Sequence, residues 1–383
     1  MIRRDKPAPA NSVGRIAIAV LAVASAAPIS VAQAQTNPSA ATVRISVFSL
    51  FHPRELVLRP AQGSHLTVEL GGRTQAFSSG DPPIVLRATA GAVEASGASG
   101  ALIGKAVYES PRLQGSILRA HAVDSRFWLD VPGKLRRVFS GTLEVRAHGQ
   151  VLEAIVTMPL ETAVASVVAA ESPPGAGIEA LKAQAVAARS FLVARQAAHA
   201  GFDFCDTTHC QFLRSPPPQD SPAAQATRTT QGLVLTWHDE ATAQDRPLAA
   251  MYARSCGGRT RTLREIGLPA SGYPYYAVHC TYCTHHPEIW QRETRSEPRT
   301  EQDRLAFNRL HGWGAIPSLA QPANQAGSIL GKGNGHGLGL CQLGAADMAR
   351  HGATFAAILA HYYPNTTIQT NTATEAVESR SHR

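Results

Sequence analysis

Three groups of residues in this chain could do chemistry. The first is a single carboxylic acid, Glu171, which falls in helical step with Leu160, Val164, Val167 and Val168 and so shares their apolar face; Pro173-Pro174 stops that helix just beyond it. Desolvation and the negative end of the helix dipole both disfavour the ionised form and raise the pKa, as a general acid working near neutral pH requires. The opposing reading is a carboxylate turned outward at the helix end, or one paired with Lys182 or Arg189. The second group is "GNGHGLGLCQLGAADMARHG", residues 333–352, where bare backbone lies beside a histidine, a cysteine and a glutamine ahead of a helical run. Such glycines let the chain take unusual dihedrals or let something approach its backbone closely. A phosphate loop is excluded, because neither Lys-Ser nor Lys-Thr follows the glycines and no βαβ unit surrounds them. The third group is His199, Cys205, His209 and Cys210, four metal-ligand types within twelve residues. Two imidazoles and two thiolates would make a closed tetrahedral zinc site, structural rather than catalytic. Disulfides are the alternative among six cysteines. Cys280-x2-Cys283 and the pair Cys256 and Cys341 read equally as bridges or as ligands, and Cys280 or Cys283 could replace His199 as the fourth.

The elements that must hold these groups follow from periodicity. Residues 42 to about 135 are β-rich, with "VRISVF" and "HLTVEL" alternating between short Gly, Pro and Ser breaks, and carry no catalytic constellation. "GTLEVR", the turn "AHGQ" and "VLEAIVTM" predict a hairpin leading into the helix that ends at Glu171. A second helix, about 176 to 197, is expected to bury Ile178, Leu181, Ala185, Ala188 and Leu192. Thr354 is the N-cap expected for a helix closed before Pro364. "SPPPQDSP" reads as a loop rather than a linker, since patterned sequence resumes in "GLVLTW". The fold class is therefore α+β, a β-rich N-terminal region followed by a mixed helix and strand domain. The expected divisions are 1–34, 35–135, 136–369 and a polar tail 370–383.

At 383 residues and 44% hydrophobic, the chain can bury a sizeable core. Arg3, Arg4, Lys6 and Arg15, an apolar run over 16–27, and Ala32-Gln33-Ala34 have the order of a secretory signal cut after Ala34. No later stretch is long and apolar enough to span a bilayer. The signal holds four basic residues and Asp5, so cleavage takes the formal charge from +8 to about +5. That suits an exported protein acting on an acidic polymer such as cell wall. Nucleic acid is disfavoured, because Lys and Arg are scattered and no recognition motif is present.

"LETAVASVVAAESPPGAGIEALKAQAVAARSF", "CDTTHCQ", "SCGGRT" and "GHGLGLCQLGAADMARHGATFAAILAHYYPNT" together resemble the SpoIID/LytB family, in that family's order over roughly residues 138–367. Its active members are lytic transglycosylases that cut peptidoglycan glycan strands, and its catalytic glutamate stands where Glu171 stands here. The usual "LEDY" is "LETA" in this chain and "EMP" is "ESP", which loosens substrate detail more than mechanism. The resemblance implies that Glu171 protonates the glycosidic oxygen and then takes the proton of the sugar's own 6-hydroxyl as a 1,6-anhydro ring closes, with no second carboxylate, unlike two-carboxylate hydrolases. It implies zinc at the Cys/His cluster and makes Lys182 a family position that holds substrate or tunes the acid, a solvated face lysine being the other reading. Further substrate contacts are expected from Arg189, from Ser255, Gly257 and Gly258, and from Gly335, His336, Gly337 and Gln342, the histidine and glutamine offering hydrogen bonds to hydroxyls. In that reading the alternate glycines form a flat wall for a sugar ring; close packing of backbone against the Glu171 helices is the other. Expected partners are peptidoglycan glycan strands and other cell-wall hydrolases, with the protein exported to the periplasm or beyond. The other function class is a non-catalytic binder or amidase enhancer using the same groove.

Overall fold

The alternation that predicts strands produces them. "HLTVEL" buries Leu66, Val68 and Leu70 and exposes the residues between, as a half-buried strand must. The computed structural model describes residues 41–97, 102–107, 118–196, 199–270, 272–293, 298–312, 314–325 and 327–371. The expected signal sequence, and the tail beyond residue 371, lie outside them.

The first strands are β1 (Thr42–Val47), β2 (Glu55–Pro60), β3 (His65–Leu70), β4 (Arg73–Ser78), β5 (Ile84–Thr89), β6 (Ala92–Ser96), β7 (Leu102–Val107), β8 (Leu118–Val131), β9 (Leu135–His148) and β10 (Val151–Pro159). With β11 (Phe204–Cys205) they form one sheet of order β11-β1-β10-β9-β8-β2-β5-β6-β7, and β3 joins β8 with β4 outside it. The register of β8 against β9 slips between Ala122 and Arg126, so the first part of β8 pairs with β3 and the last with β2. A bulge bends its strand and adds twist, and here it curls the sheet around its own apolar face. The expected hairpin is the antiparallel pair β9–β10, which turns at Gly149.

Helices α1 (Leu160–Glu171) and α2 (Ile178–Ala194) follow. Val164, Val167 and Val168 of α1, with Leu181, Ala185, Ala188 and Leu192 of α2, close the core of the curled sheet. Ile178, expected inside, stands exposed at the first turn of α2. The opposite face of α2, with Ala180, Ala183, Val186 and Ala187, enters a second core. Small side chains let this helix lie between two layers. The remaining elements are α3 (Pro222–Thr229), β12 (Leu233–Asp239), β13 (Gln244–Pro247), β14 (Tyr252–Ala253), α4 (Thr281–His285), β15 (Ile289–Glu293), α5 (Glu301–His311), β16 (Ala320–Gln325), β17 (Ser328–Lys332), β18 (Leu340–Cys341), α6 (Gln342–Arg350), α7 (Phe355–Tyr362) and β19 (Thr366–Thr370). Of these, α3 adds Ala223 and Ala226 to the first core; Leu235, Leu340, Ala345, Ile358 and Leu359 line the second, and Trp290, Ile316 and Ile329 make a small third. Thr354 caps α7 as expected, its Oγ1 accepting from Ala357 N–H at 3.3 Å.

The architecture is α+β, but the expected division at 135/136 is not a boundary. Pro38–Arg383 forms one compact unit, and that point falls at the start of β9, whose partners β8 and β10 lie on either side of it in sequence.

Candidate active site

Glu171 is the last residue of α1, and the chain leaves it through an extended Ser172 into Pro173-Pro174. Its carboxyl group is largely buried. Phe212 N–H donates to Oε1 at 2.6 Å and the Tyr252 hydroxyl to the same oxygen at 3.4 Å. Burial pushes the Glu171 pKa up to about 7, and the two donors only partly oppose it. Burial, reinforced by the Glu171 charge, also holds the Tyr252 phenol well above its ordinary range, so it stays a donor. The Glu171 backbone carbonyl accepts from Gln342 Nε2 at 3.0 Å, one of the last carbonyls that a helix leaves unpaired.

Neither cation that might have neutralised Glu171 does so. Lys182 Nζ bonds Glu179 at 2.6 Å. Arg189 is 0% exposed, binds both carboxylate oxygens of Glu161 at 2.7 and 2.6 Å, and donates to the carbonyls of Leu233 and Thr227. The expectation of Arg189 at substrate is corrected by that burial. Gln342 is buried too, and its amide serves the Glu171 backbone and Gln184 rather than a ligand.

The glycine-rich stretch runs alongside the segment that carries Tyr252. β14 and β18 pair in parallel, Tyr252 beside Leu340 and Ala253 beside Cys341, and bridges join Ser255 to Asn334 and Arg261 to Leu338. A methyl group at Gly335 would meet Ala253, at Gly337 the Arg261 side chain, and at Gly339 Met251 O and the Tyr363 ring. The Cβ side of these residues is thus filled with protein, and the glycines let two backbone segments pack. His336 is held in the same way: Nδ1 accepts from Leu338 N–H at 3.0 Å, and burial lowers its pKa, so it is neutral at neutral pH. Ser255 is 1% exposed, and Gly257 packs against Ala320 and Lys332, whereas Gly258 remains partly exposed at the turn.

His199, Cys205, His209 and Cys210 do come together, their ligand atoms all within 4.8 Å of one another. His199 Nε2 lies 3.2 Å from Cys210 Sγ, and His209 Nδ1 lies 3.7 and 3.6 Å from Cys205 and Cys210. Two borderline nitrogens and two soft sulfurs so placed fit a zinc ion. The cluster closes a loop pinned at β11 against β1 and by Asp206, which accepts from Phe48 N–H and pairs with Arg137 at 2.7 Å. Two residues past Cys210 comes Phe212, whose N–H reaches Glu171. Sequence reasoning missed both donors to the acid. A backbone N–H leaves no trace in side-chain pattern, but Tyr252, a phenol three residues before "SCGG", was a readable signal.

Residues 148–237 match the SpoIID family, described as Stage II sporulation protein. The chain is 24% identical over 270 residues to Stage II sporulation protein D of Bacillus subtilis, covering 56% of this chain and 76% of that protein. It is 27% identical over 263 residues to Stage II sporulation protein D of Bacillus amyloliquefaciens (55% and 74%), and 25% identical over 265 residues to an uncharacterized protein of Brachyspira hyodysenteriae (59% and 70%). On these matches the chain is similar to the SpoIID family over part of its length.

Proposed function

We propose that this protein is an exported lytic transglycosylase that cuts peptidoglycan glycan strands with Glu171 as its only acid and base. The observation that carries the reading is a carboxyl whose pKa stands at about 7 through burial, with no second carboxylate among the groups that act on it. With Oε1 occupied by two donors, the acid proton belongs on Oε2. Glu171 gives that proton to the glycosidic oxygen as the C1–O bond breaks. The resulting carboxylate takes the proton of the 6-hydroxyl while that oxygen bonds to C1, which closes the anhydro ring and restores the acid. Phe212 N–H and the Tyr252 hydroxyl steady the carboxylate between the two steps. His199, Cys205, His209 and Cys210 would hold a zinc ion with a structural part, fixing the loop that presents Phe212, and no step would pass through it.

The test is mass spectrometry of purified peptidoglycan, intact and stripped of stem peptides, after incubation with the full chain and with Glu171→Gln. Anhydro-ended products from the parent and none from the variant are expected. Reducing ends would mean hydrolysis. Binding to glycan without cleavage by the parent would return the protein to the binder or amidase-enhancer class.

A further inference from the structure

Cys256, Cys280, Cys283 and Cys341 come from distant parts of the chain and meet in the second core. Their sulfurs all lie within 4.8 Å of one another, that of Cys283 3.5 Å from that of Cys341. All four residues are buried, between 0 and 2% exposed. We propose that these four cysteines form a second metal centre, a closed tetrathiolate site for zinc, separate from the Cys/His cluster and independent of the glycan reading.

Three observations carry it. The first is geometric: four sulfurs at about 2.3 Å from one tetrahedral zinc stand about 3.8 Å apart, close to what is found, whereas disulfides would need only two separate pairs to approach. The second is the set of donors around the sulfurs. The Tyr362 hydroxyl donates to Cys280 Sγ at 3.5 Å, Gly344 N–H to Cys341 Sγ at 3.5 Å, and Ser255 Oγ lies 3.5 Å from Cys283 Sγ. A zinc tetrathiolate carries a net charge of about −2, so it needs such donors in a buried place. Cys341 is also the N-cap of α6, where helix polarity favours negative charge. The third is Gly344: a methyl group there would strike the Tyr362 hydroxyl and Cys280 Sγ, so the helix can close over the cluster only with glycine.

Binding is an acid–base exchange with no redox change. One zinc dication enters, four S–H bonds give their protons to solvent, and four Zn–S bonds form. With every position taken by protein the ion is structural. Its place makes it the clasp between the segments that serve Glu171, since Gln342 follows Cys341 directly and Tyr252 stands four residues before Cys256.

The experiment uses the full chain folded with zinc chloride, with metal counted by elemental analysis and each cysteine assigned as free thiol, metal-protected thiol or disulfide by alkylation and peptide mapping. Two zinc per chain are expected, with Cys256, Cys280, Cys283 and Cys341 protected from alkylation until a chelator is added. In Cys205→Ser/Cys210→Ser one zinc should remain, and exchange for cobalt(II) should give the intense thiolate charge-transfer bands of an all-sulfur tetrahedral site. A parent chain with one zinc on Cys205 and Cys210 and with the other four cysteines in disulfides overturns the proposal. The reverse, one zinc protecting only the four buried cysteines, supports it and removes metal from the Cys/His cluster instead.

Discussion

At the scale of single residues, the proton on Glu171 decides the chemistry of the proposed reaction. Glu171→Gln keeps shape but cannot donate or reclaim it, so glycan cleavage should fall by about a hundredfold to ten-thousandfold, measured as anhydro ends released. The acid step needs the protonated form, so kcat/KM should fall as pH rises through about 7. In Tyr252→Phe a donor that favours the carboxylate is lost, the pKa rises, and that alkaline limb should move upward by at most about one unit. An unmoved limb would reduce Tyr252 to packing. The same shift acts on stability. Because the folded pKa lies above the ordinary 4.5, folding is favoured while the group is protonated, and that advantage is lost as pH rises from 4.5 through about 7. Glu171→Gln should therefore gain on the parent across that window, by up to about 3 kcal/mol in chemical denaturation. Glu171 was legible because helical period alone puts it with Val164, Val167 and Val168. Of its donors, the Phe212 N–H enters no side-chain pattern, and the Tyr252 phenol, readable beside "SCGG", could not be linked to Glu171 across 81 residues of chain.

At the scale of elements, the central helix α2 and the glycine-rich stretch carry the contrast between reading and structure. Periodicity found one buried face of α2, but the alanines on the other face buried it too, and Arg189 went inward with them. A cation in an alanine-rich helix looks exposed in sequence, since its partner Glu161 stands 28 residues away. Arg189→Met should cost roughly 3 kcal/mol in denaturant unfolding, because it removes a buried guanidinium that binds both oxygens of Glu161, which would keep only the Gly232 N–H. The glycines were legible as a special backbone but not as a packing device. A methyl at Gly339 meets Met251 O and the Tyr363 ring, whereas Gly352 has open space and only a positive φ to maintain. Gly352→Ala should thus cost about 1–2 kcal/mol and Gly339→Ala clearly more, with melting temperature as the measure. Equal losses would mean that backbone strain alone is at work.

At the scale of the whole molecule, helix and strand periodicity gave α+β, composition gave a large core, and the β-rich region was found where strand alternation put it. The division at 135 was not real, because a domain edge is read from local breaks and the pairing of β8 with β9 crosses that break. A fragment beginning at residue 136 should not fold alone. It would retain β9 and β10 without β1 and β8, and leave Leu143, Val145, Leu152 and Val156 uncovered. Loss of cooperative thermal unfolding in that fragment checks the point. If the clusters hold zinc as proposed, chelation of the full chain should lower its melting temperature without abolishing cleavage outright, since neither cluster would supply a reacting group.

The three groups that hold Glu171 come from 41, 81 and 171 residues further along the chain. Burial raises the Glu171 pKa while the two donors oppose the rise, so the shift waits on the packing of segments far along the chain. In a chain not yet folded the glutamate is an ordinary one, ionised at neutral pH. On the proposed reading, the proton that the reaction needs is therefore a property of the completed fold.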